Sequence, residues 1–375
     1  MTETITTEDT RLRERWTTLA ARAAAAGADA LVISAAADLA YLTDYADMGL
    51  ERLTAVVGAV GDARPTLLVP GLELARIPDR PDVFTAVGWS DDTTPTAVMT
   101  QLIGEAETIV VSDELWASHV IDLGHRLPAA TLVTVTDALS GVRSVKTPDE
   151  RDALAHAGSL ADQVMVEIQA GRLPLVGRTE AEVADDIGTR LLDVGHDQVQ
   201  FVIVGSGPNS ASPHHHPGDR VIGRDELVLF DFGGTANGFN SDTTRCVYTG
   251  PIPVEVQRAW DTLRQAQQAA VDAARVGAPL CEVDAAARTI LADAGYGEYF
   301  IHRTGHGIGL EVHEHPYVTE RNTSPIEVGN AFSIEPGIYL PGRWGMRLED
   351  IVVIEDDGRA RRCNESDRAL ISVPG

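Results

Sequence analysis

One pattern constrains this chain more than any other: between residues 147 and 354 the same order of elements is written twice. In the first copy, Thr147-Pro148-Asp149-Glu150 opens a helix that runs to about Ala170, with Thr as N-cap, Pro at the first position and Glu three residues on. A second capping box, Thr179 to Glu182, opens a helix ending near Gly195. A strand over 198–204 then leads into a loop rich in Gly, Pro and His (205–217), and two strands follow, each bearing one acid, Asp231 and Asp242. The second copy places helices from Glu255 to Arg275 and from about Glu282 to Gly295. It continues with a strand-like piece, Tyr299-Phe300-Ile301, a Gly-rich loop carrying His306, and strands bearing Glu335 and Glu349, the last running from Gly345 to Ile354. Residue identity between the copies is slight, so the order of elements carries the argument. It predicts an α+β domain with pseudo-twofold symmetry and its site on the internal axis.

The acids themselves point to chemistry. The apolar run Leu227 to Phe230 reads as a buried strand that delivers Asp231, and Gly233, Gly234, Asn237 and Gly238 supply turn residues before Asp242. A hairpin thus brings two carboxylates close, where each repels the other unless a cation sits between them. With His306, Glu335 and Glu349 the set becomes four carboxylates and one imidazole, whose four negative charges balance two divalent ions. Such donors suit Mn²⁺ first, and also Co²⁺, Fe²⁺ or Zn²⁺. A pair of ions roughly 3.5–4 Å apart can hold a bridging hydroxide and polarise a carbonyl, which is two-metal hydrolysis. A single Asp at a strand end is as often a turn or surface group; five such residues, each beside Gly-rich turns or within apolar strands, shift the balance.

The first 140 residues read differently. An Ala-rich helix over 9–26 stops at Gly27, and apolar runs at 30–34, 54–57, 66–69 and 108–111 alternate with helix-like segments. This predicts an α/β layer domain over 1–140, a boundary near Ser140 to Lys146, and a catalytic domain over 147–375. No Gly-rich phosphate loop follows any of these strands. The chain carries 30 Lys+Arg against 56 Asp+Glu, a net charge of -26, which argues against binding nucleic acid or an anionic membrane surface. The three cysteines, Cys246, Cys281 and Cys363, fit no zinc-finger spacing and are too few for a disulfide framework. The start, Met1 to Asp9, has no positive charge and no apolar core, so it is not read as a signal peptide, and no run approaches the roughly 18 apolar residues of a membrane span. A cytoplasmic protein is expected.

Several stretches carry a family resemblance. Asp231-x-Gly233…Ser241-Asp242-x-Thr244-Arg245, Gly305-His306-Gly307-Ile308-Gly309…His313-Glu314-x-Pro316, Ile334-Glu335-Pro336-Gly337-x-Tyr339 and Met346-Arg347-Leu348-Glu349-Asp350 together resemble the pita-bread metallopeptidases. Within these the chain is most similar to the proline-specific branch, prolidase and the Xaa-Pro aminopeptidases. Asp38-Leu39-x-Tyr41-Leu42-Thr43…Glu51-Arg52 resembles the creatinase/prolidase amino-terminal domain, so the likeness covers nearly the whole chain. It implies that Asp231 chelates a first metal, His306 and Glu335 a second, and that Asp242 and Glu349 bridge them. Glu335 is implied as general base, His214 and His313 as substrate-contacting histidines, and Tyr339 and Arg347 as supporting residues, with Arg347 and Glu349 on one face of a common strand. The implied activity is metal-dependent hydrolysis of Xaa-Pro bonds in small peptides, by a homodimer in which one amino-terminal domain narrows the other subunit's site. Cys246 and Phe239 depart from the Thr and Tyr usual in the family, which bears on the substrate pocket and not on metal binding.

Other histidines read more plainly. His215 and His216 fit a wet loop between two prolines, His302 fits a structural role, and His315 is undecided. The residues also leave open a non-peptide amidohydrolase or lyase on the same scaffold, since fold alone guides substrate poorly. A creatinase-like activity without metals, or a non-catalytic module, sits badly with five intact ligands.

Overall fold

The structure, a computed structural model, describes residues 6–34, 36–45 and 52–374. Glu51 of the amino-terminal motif and the start Met1 to Ile5 lie outside the described residues. The chain divides into two compact units, residues 1–143 and 144–375.

In the first unit, α1 (Thr7–Ala25) is capped by the Thr6 side chain, which accepts from the Asp9 N–H, and buries Leu12, Trp16, Leu19 and Ala23 at helical spacing. Then come β1 (Ala30–Ile33), α2 (Ala36–Thr43), β2 (Ala55–Ala59), β3 (Thr66–Pro70) and β4 (Thr85–Trp89). After these follow α3 (Pro95–Ile103), β5 (Thr108–Val111), α4 (Ala117–Arg126), β6 (Thr131–Thr134) and α5 (Val135–Leu139). Among the described residues these strands form one sheet in the order β4-β3-β2-β1-β5-β6. Pairing is antiparallel at β1–β2 and β2–β3 and parallel elsewhere. The four apolar runs of the sequence are its interior strands. The two edges, β4 and β6, carry no such run because only part of each strand is covered.

The second unit opens with α6 (Pro148–Gln169) and α7 (Glu180–Asp193). Both capping boxes form, with Thr147 and Glu150, and Thr179 and Glu182, exchanging side-chain and backbone hydrogen bonds. Next are β7 (Gln198–Ser206), β8 (Leu227–Ala236), β9 (Phe239–Asn240), β10 (Thr243–Tyr248), α8 (Val254–Ala273) and α9 (Leu280–Asp293). The chain ends with β11 (Gly305–Gly307), β12 (Glu314–Val318), β13 (Ala331–Ile334), β14 (Gly337–Leu340), β15 (Trp344–Arg347), β16 (Asp350–Ile354), β17 (Ala360–Arg362) and β18 (Ile371–Ser372). One sheet runs β18-β10-β8-β7 and another β12-β11-β13-β16-β17. The antiparallel order β7-β8-β10 in the first recurs as β11-β13-β16 in the second, so the duplicated order of elements is a duplicated sheet. An α/β first unit followed by a pseudo-twofold α+β unit is the architecture the sequence predicts.

Strand β8 is buried on both faces. Leu227 and Leu229 join the core beneath α8 and α9, whereas Val228, Phe230 and Phe232 pack against α6 and α7. Each of these large side chains contributes about 1.5–3 kcal/mol by leaving water.

Two local expectations are corrected. Tyr299 to Ile301 is not a strand: a 3-10 turn, Gly297–Tyr299, precedes a buried Phe300 and a solvent-exposed Ile301. The stretch from Gly345 to Ile354 is two strands and not one. β15 pairs with β14 in a separate ribbon and β16 pairs with β13, so the chain changes sheets at Leu348 and Glu349, and Arg347 and Glu349 share no strand face.

Candidate metal centre

Strand parity aims the first two acids. Asp231 follows Leu227 and Leu229 at two-residue spacing on β8, and Thr244 of β10 pairs directly with it. Asp242 stands two residues before Thr244 at the mouth of the hairpin. The return is tight enough that a Cβ on Gly233 would lie 2.1 Å from the Ser241 carbonyl oxygen. The glycine therefore permits close approach as well as a turn.

In the second copy a Cβ on Gly305 would meet the Ser333 carbonyl oxygen at 1.8 Å, so β11 lies directly on β13. The Ser333 Oγ accepts from the His306 N–H at 2.9 Å and donates to Glu335 Oε1 at 3.0 Å, tying the imidazole to the acid. Glu349 is pinned from β10: its N–H donates to the Thr244 carbonyl at 3.2 Å, and its own carbonyl accepts from buried Arg245. Arg245 also pairs with Asp350 at 2.6 Å, both side chains fully buried. The Glu349 carboxylate accepts from Thr244 Oγ1 at 2.6 Å, and Thr244 Oγ1 accepts from Arg347 Nε at 3.0 Å.

These constraints bring Asp242, His306 and Glu349 together, one candidate ligand atom of each lying within 4.8 Å of the others, all three buried. Glu335 Oε1 is 3.3 Å and Asp242 Oδ2 3.6 Å from His306 Nε2. His306 Nδ1 lies 3.1 Å from the Gly307 carbonyl; with the proton there, Nε2 presents its lone pair to the acids. Asp231 stands outside that trio, its Oδ2 held by Arg347, and Arg347 Nε is also 3.8 Å from Glu335.

The donor set fits divalent cations on two counts. Asp231 Oδ1 and Asp242 Oδ1 are buried with no hydrogen-bond partner among the described residues, a costly state for a carboxylate oxygen unless a cation supplies one. Among the described residues the four acids have one bonded guanidinium in their midst, Arg347, which hydrogen-bonds Asp231 and lies 3.8 Å from Glu335. Burial, then repulsion from Glu349, Asp231 and Glu335, pushes the Asp242 carboxyl well above its ordinary range. Burial followed by repulsion from Glu335 and Asp231 does the same to Glu349. Burial raises Glu335 to about 7 against the opposing pull of Arg347. Burial, then the neighbouring His313, lowers His306 to about 3, which keeps its imidazole neutral and able to ligate.

The acids line a cavity of about 770 Å³ whose wall includes His214 and His313. The His313 ring centroid is 4.0 Å from that of His306. Phe201 and Ile203 also line it, and pair across the sheet with Gly233 and Asp231, on the Asp231 face. Tyr339 is buried beside it, its Oη accepting at 2.9 Å from Arg347, which itself lines the wall.

Two histidine readings change. His302 does hold structure, its Nε2 lying 2.9 Å from Tyr339 Oη, yet it also lines the cavity. His215 is no loose loop residue: its Nε2 lies 2.7 Å from the fully buried Glu180 carboxylate, which also accepts from Ser206 and Asn209. Glu180 thereby anchors the loop bearing His214. In the sequence it reads only as a first-turn helix acid, with nothing to mark its burial. Thr244 was legible as part of a motif but not as the hydroxyl joining Arg347 to Glu349.

The model of metallopeptidase family M24 matches residues 152–356, and that of the creatinase/prolidase N-terminal domain matches residues 15–145. A Mycobacterium tuberculosis protein described as "Probable dipeptidase PepE" is 43% identical over 363 residues, 94% of this chain and 96% of its own. The crystal structure of dipeptidase PepE from Mycobacterium ulcerans superposes with a TM-score of 0.89 at 41% identity, covering 98% of this chain and 99% of that one. A recombinant prolidase from Thermococcus sibiricus follows with a TM-score of 0.80 at 34% identity, covering 96% and 98%.

Proposed function

The chain belongs to metallopeptidase family M24, and from that premise we propose that it hydrolyses Xaa-Pro bonds in small peptides. The observation that carries this is the convergence of Asp231, Asp242, His306, Glu335 and Glu349 on one cavity, with two buried carboxylate oxygens left without partners. In this reading Asp231, Asp242, His306, Glu335 and Glu349 would together hold the divalent ions, with Mn²⁺ the first candidate. Bound ions supply Lewis-acid polarisation of the scissile carbonyl and lower the pKa of a water.

The chain's own groups do the rest. Glu335, tied to His306 through the Ser333 hydroxyl, is the acid placed to take a proton from the attacking water. His313, whose proton affinity is lowered by partial desolvation and then by Arg303, and His214 stand in the wall to donate hydrogen bonds to the carbonyl oxygen as charge develops there. Arg347, held by Thr244 and Tyr339, fixes Asp231. An Xaa-Pro bond is a tertiary amide with no N–H and a fixed ring, so strand-type peptide recognition serves it poorly. The apolar wall at Phe201 and Ile203 beside Asp231 is a surface on which a pyrrolidine ring can rest. The similarity to a prolidase supports the same choice. We place the enzyme in the cytoplasm as a homodimer; no described helix is long and apolar enough to cross a membrane.

The test is hydrolysis of an Xaa-Pro dipeptide and an Xaa-Pro-Yaa tripeptide by metal-stripped protein, before and after adding Mn²⁺ or Co²⁺. Metal-restored cleavage of either is expected. Metal uptake without cleavage of either would redirect the assignment to small non-peptide substrates, and failure to bind metal would sink it.

A further inference from the structure

Two arginines line the cavity, and they are in opposite states. Arg347 is committed, its guanidinium bonded to Asp231, Thr244 and Tyr339. Arg303 is half-buried, and among the described residues its guanidinium has no hydrogen bond and no ion pair, although four carboxylates share the same wall. What holds it is an aromatic face: its Cζ lies 4.3 Å from the centroid of the Tyr317 ring. The two residues meet because β11 and β12 pair at Gly305 and Val318, which sets the chain just before β11 beside the end of β12.

We propose that Arg303 anchors the free carboxylate of a two-residue substrate, so that the cavity selects dipeptides over longer peptides. This rests on the peptidase reading above and deepens it. A guanidinium stacked on a ring through its face keeps its N–H edge free, and that edge matches a carboxylate with two parallel hydrogen bonds. Arg303 precedes His306 by three residues and lines the same cavity as the five candidate ligands, so it faces the region where a bound peptide would lie. In a dipeptide the terminal carboxylate is one residue, about 3.8 Å, from the scissile carbonyl; each added residue moves it about as far again. A fixed cation in the wall therefore reads substrate length.

The experiment uses the full metal-loaded protein and substrates sharing one scissile bond. Dipeptides with proline or leucine second are supplied as free acids and as C-terminal amides, alongside the matching tripeptides. Wild type should favour the free acid over its amide by at least about 10-fold in KM. Arg303→Met should raise KM for the free acid about 10- to 100-fold, the scale of one charge-assisted pair, with kcat and amide turnover changed by less than about 3-fold. Arg303→Lys should recover part of the loss. Equal treatment of acid and amide by wild type, or equal loss of both in Arg303→Met, overturns the assignment. Cleavage of the leucine series alone would refute proline specificity while still testing Arg303. If no peptide is cut, calorimetric binding of uncleaved acid and amide decides: a preference for the acid that Arg303→Met abolishes upholds the anchor, and no preference overturns it.

Discussion

At the scale of single residues, the site depends on one hydroxyl that neither binds metal in our assignment nor touches substrate. Thr244 Oγ1 donates to Glu349 and accepts from Arg347, so one small side chain sets the angle of an acid and the position of the arginine holding Asp231. Thr244→Val keeps the shape and removes both bonds. The expected result is a 10- to 100-fold loss of Mn²⁺ affinity by calorimetry, about what losing a group that orients a ligand costs, with Tm changed little. The same residues predict a pH dependence. Folding raises the Glu335 pKa from 4.5 to about 7, so without metal the native state binds more protons than the unfolded one. Stability is then lost as pH rises through that interval, and Asp242 and Glu349 act in the same direction. Metal-stripped wild type should lose more Tm between pH 5 and pH 8 than Glu335→Gln does. Mn²⁺ uptake near pH 6 should release protons, read as a dependence of calorimetric heat on buffer ionisation.

At the scale of elements, the glycine beside His306 is predicted to matter more than its size suggests. A Cβ on Gly305 would collide with the backbone carbonyl of Ser333, which cannot swing aside, so β11 would have to lift off β13 and carry His306 with it. Gly305→Ala should cost at least about 1–3 kcal/mol in denaturant unfolding and weaken Mn²⁺ binding more than 10-fold. Gly177→Ala is the comparison: its φ of 86° makes alanine strained, but nothing lies within 4 Å, so stability should fall with metal affinity intact. Elements also mark where the sequence was readable. Capping boxes at Thr147 and Thr179 and the apolar runs at 66–69 and 108–111 stated their own structure, because local hydrogen bonds and burial on both faces leave direct traces. Edge strands β4 and β6 left none, since partial cover needs no apolar run. The break between β15 and β16 was equally hidden: it depends on which sheet each half joins, a long-range choice that Gly345 to Ile354 does not encode locally. In the same way Glu180 and Arg303 look like ordinary helix and loop charges until tertiary contacts show one buried under His215 and the other without a counter-ion among the described residues.

At the scale of the whole molecule, the two units predict where ligand binding is felt. Every candidate metal residue belongs to residues 144–375, and the first unit's sheet closes over its own core of residues such as Val32, Val57, Leu68 and Ile109. An ion that binds only the native state stabilises it by about 2.7 kcal/mol at a hundred times its Kd, and every opening that dismantles the site must overcome that increment. The strands that present the acids, 227–248 and 331–354, should therefore exchange amide hydrogen more slowly once Mn²⁺ is added. Strands β1, β3 and β5 of the first unit should be unchanged wherever openings are local to a unit. Hydrogen–deuterium exchange followed by mass spectrometry reads both sets in one experiment. Slowing confined to the second unit means that the site opens by local unfolding there. Equal slowing in both means that the chain opens as one cooperative body, and metal then acts as a stabiliser of the entire fold.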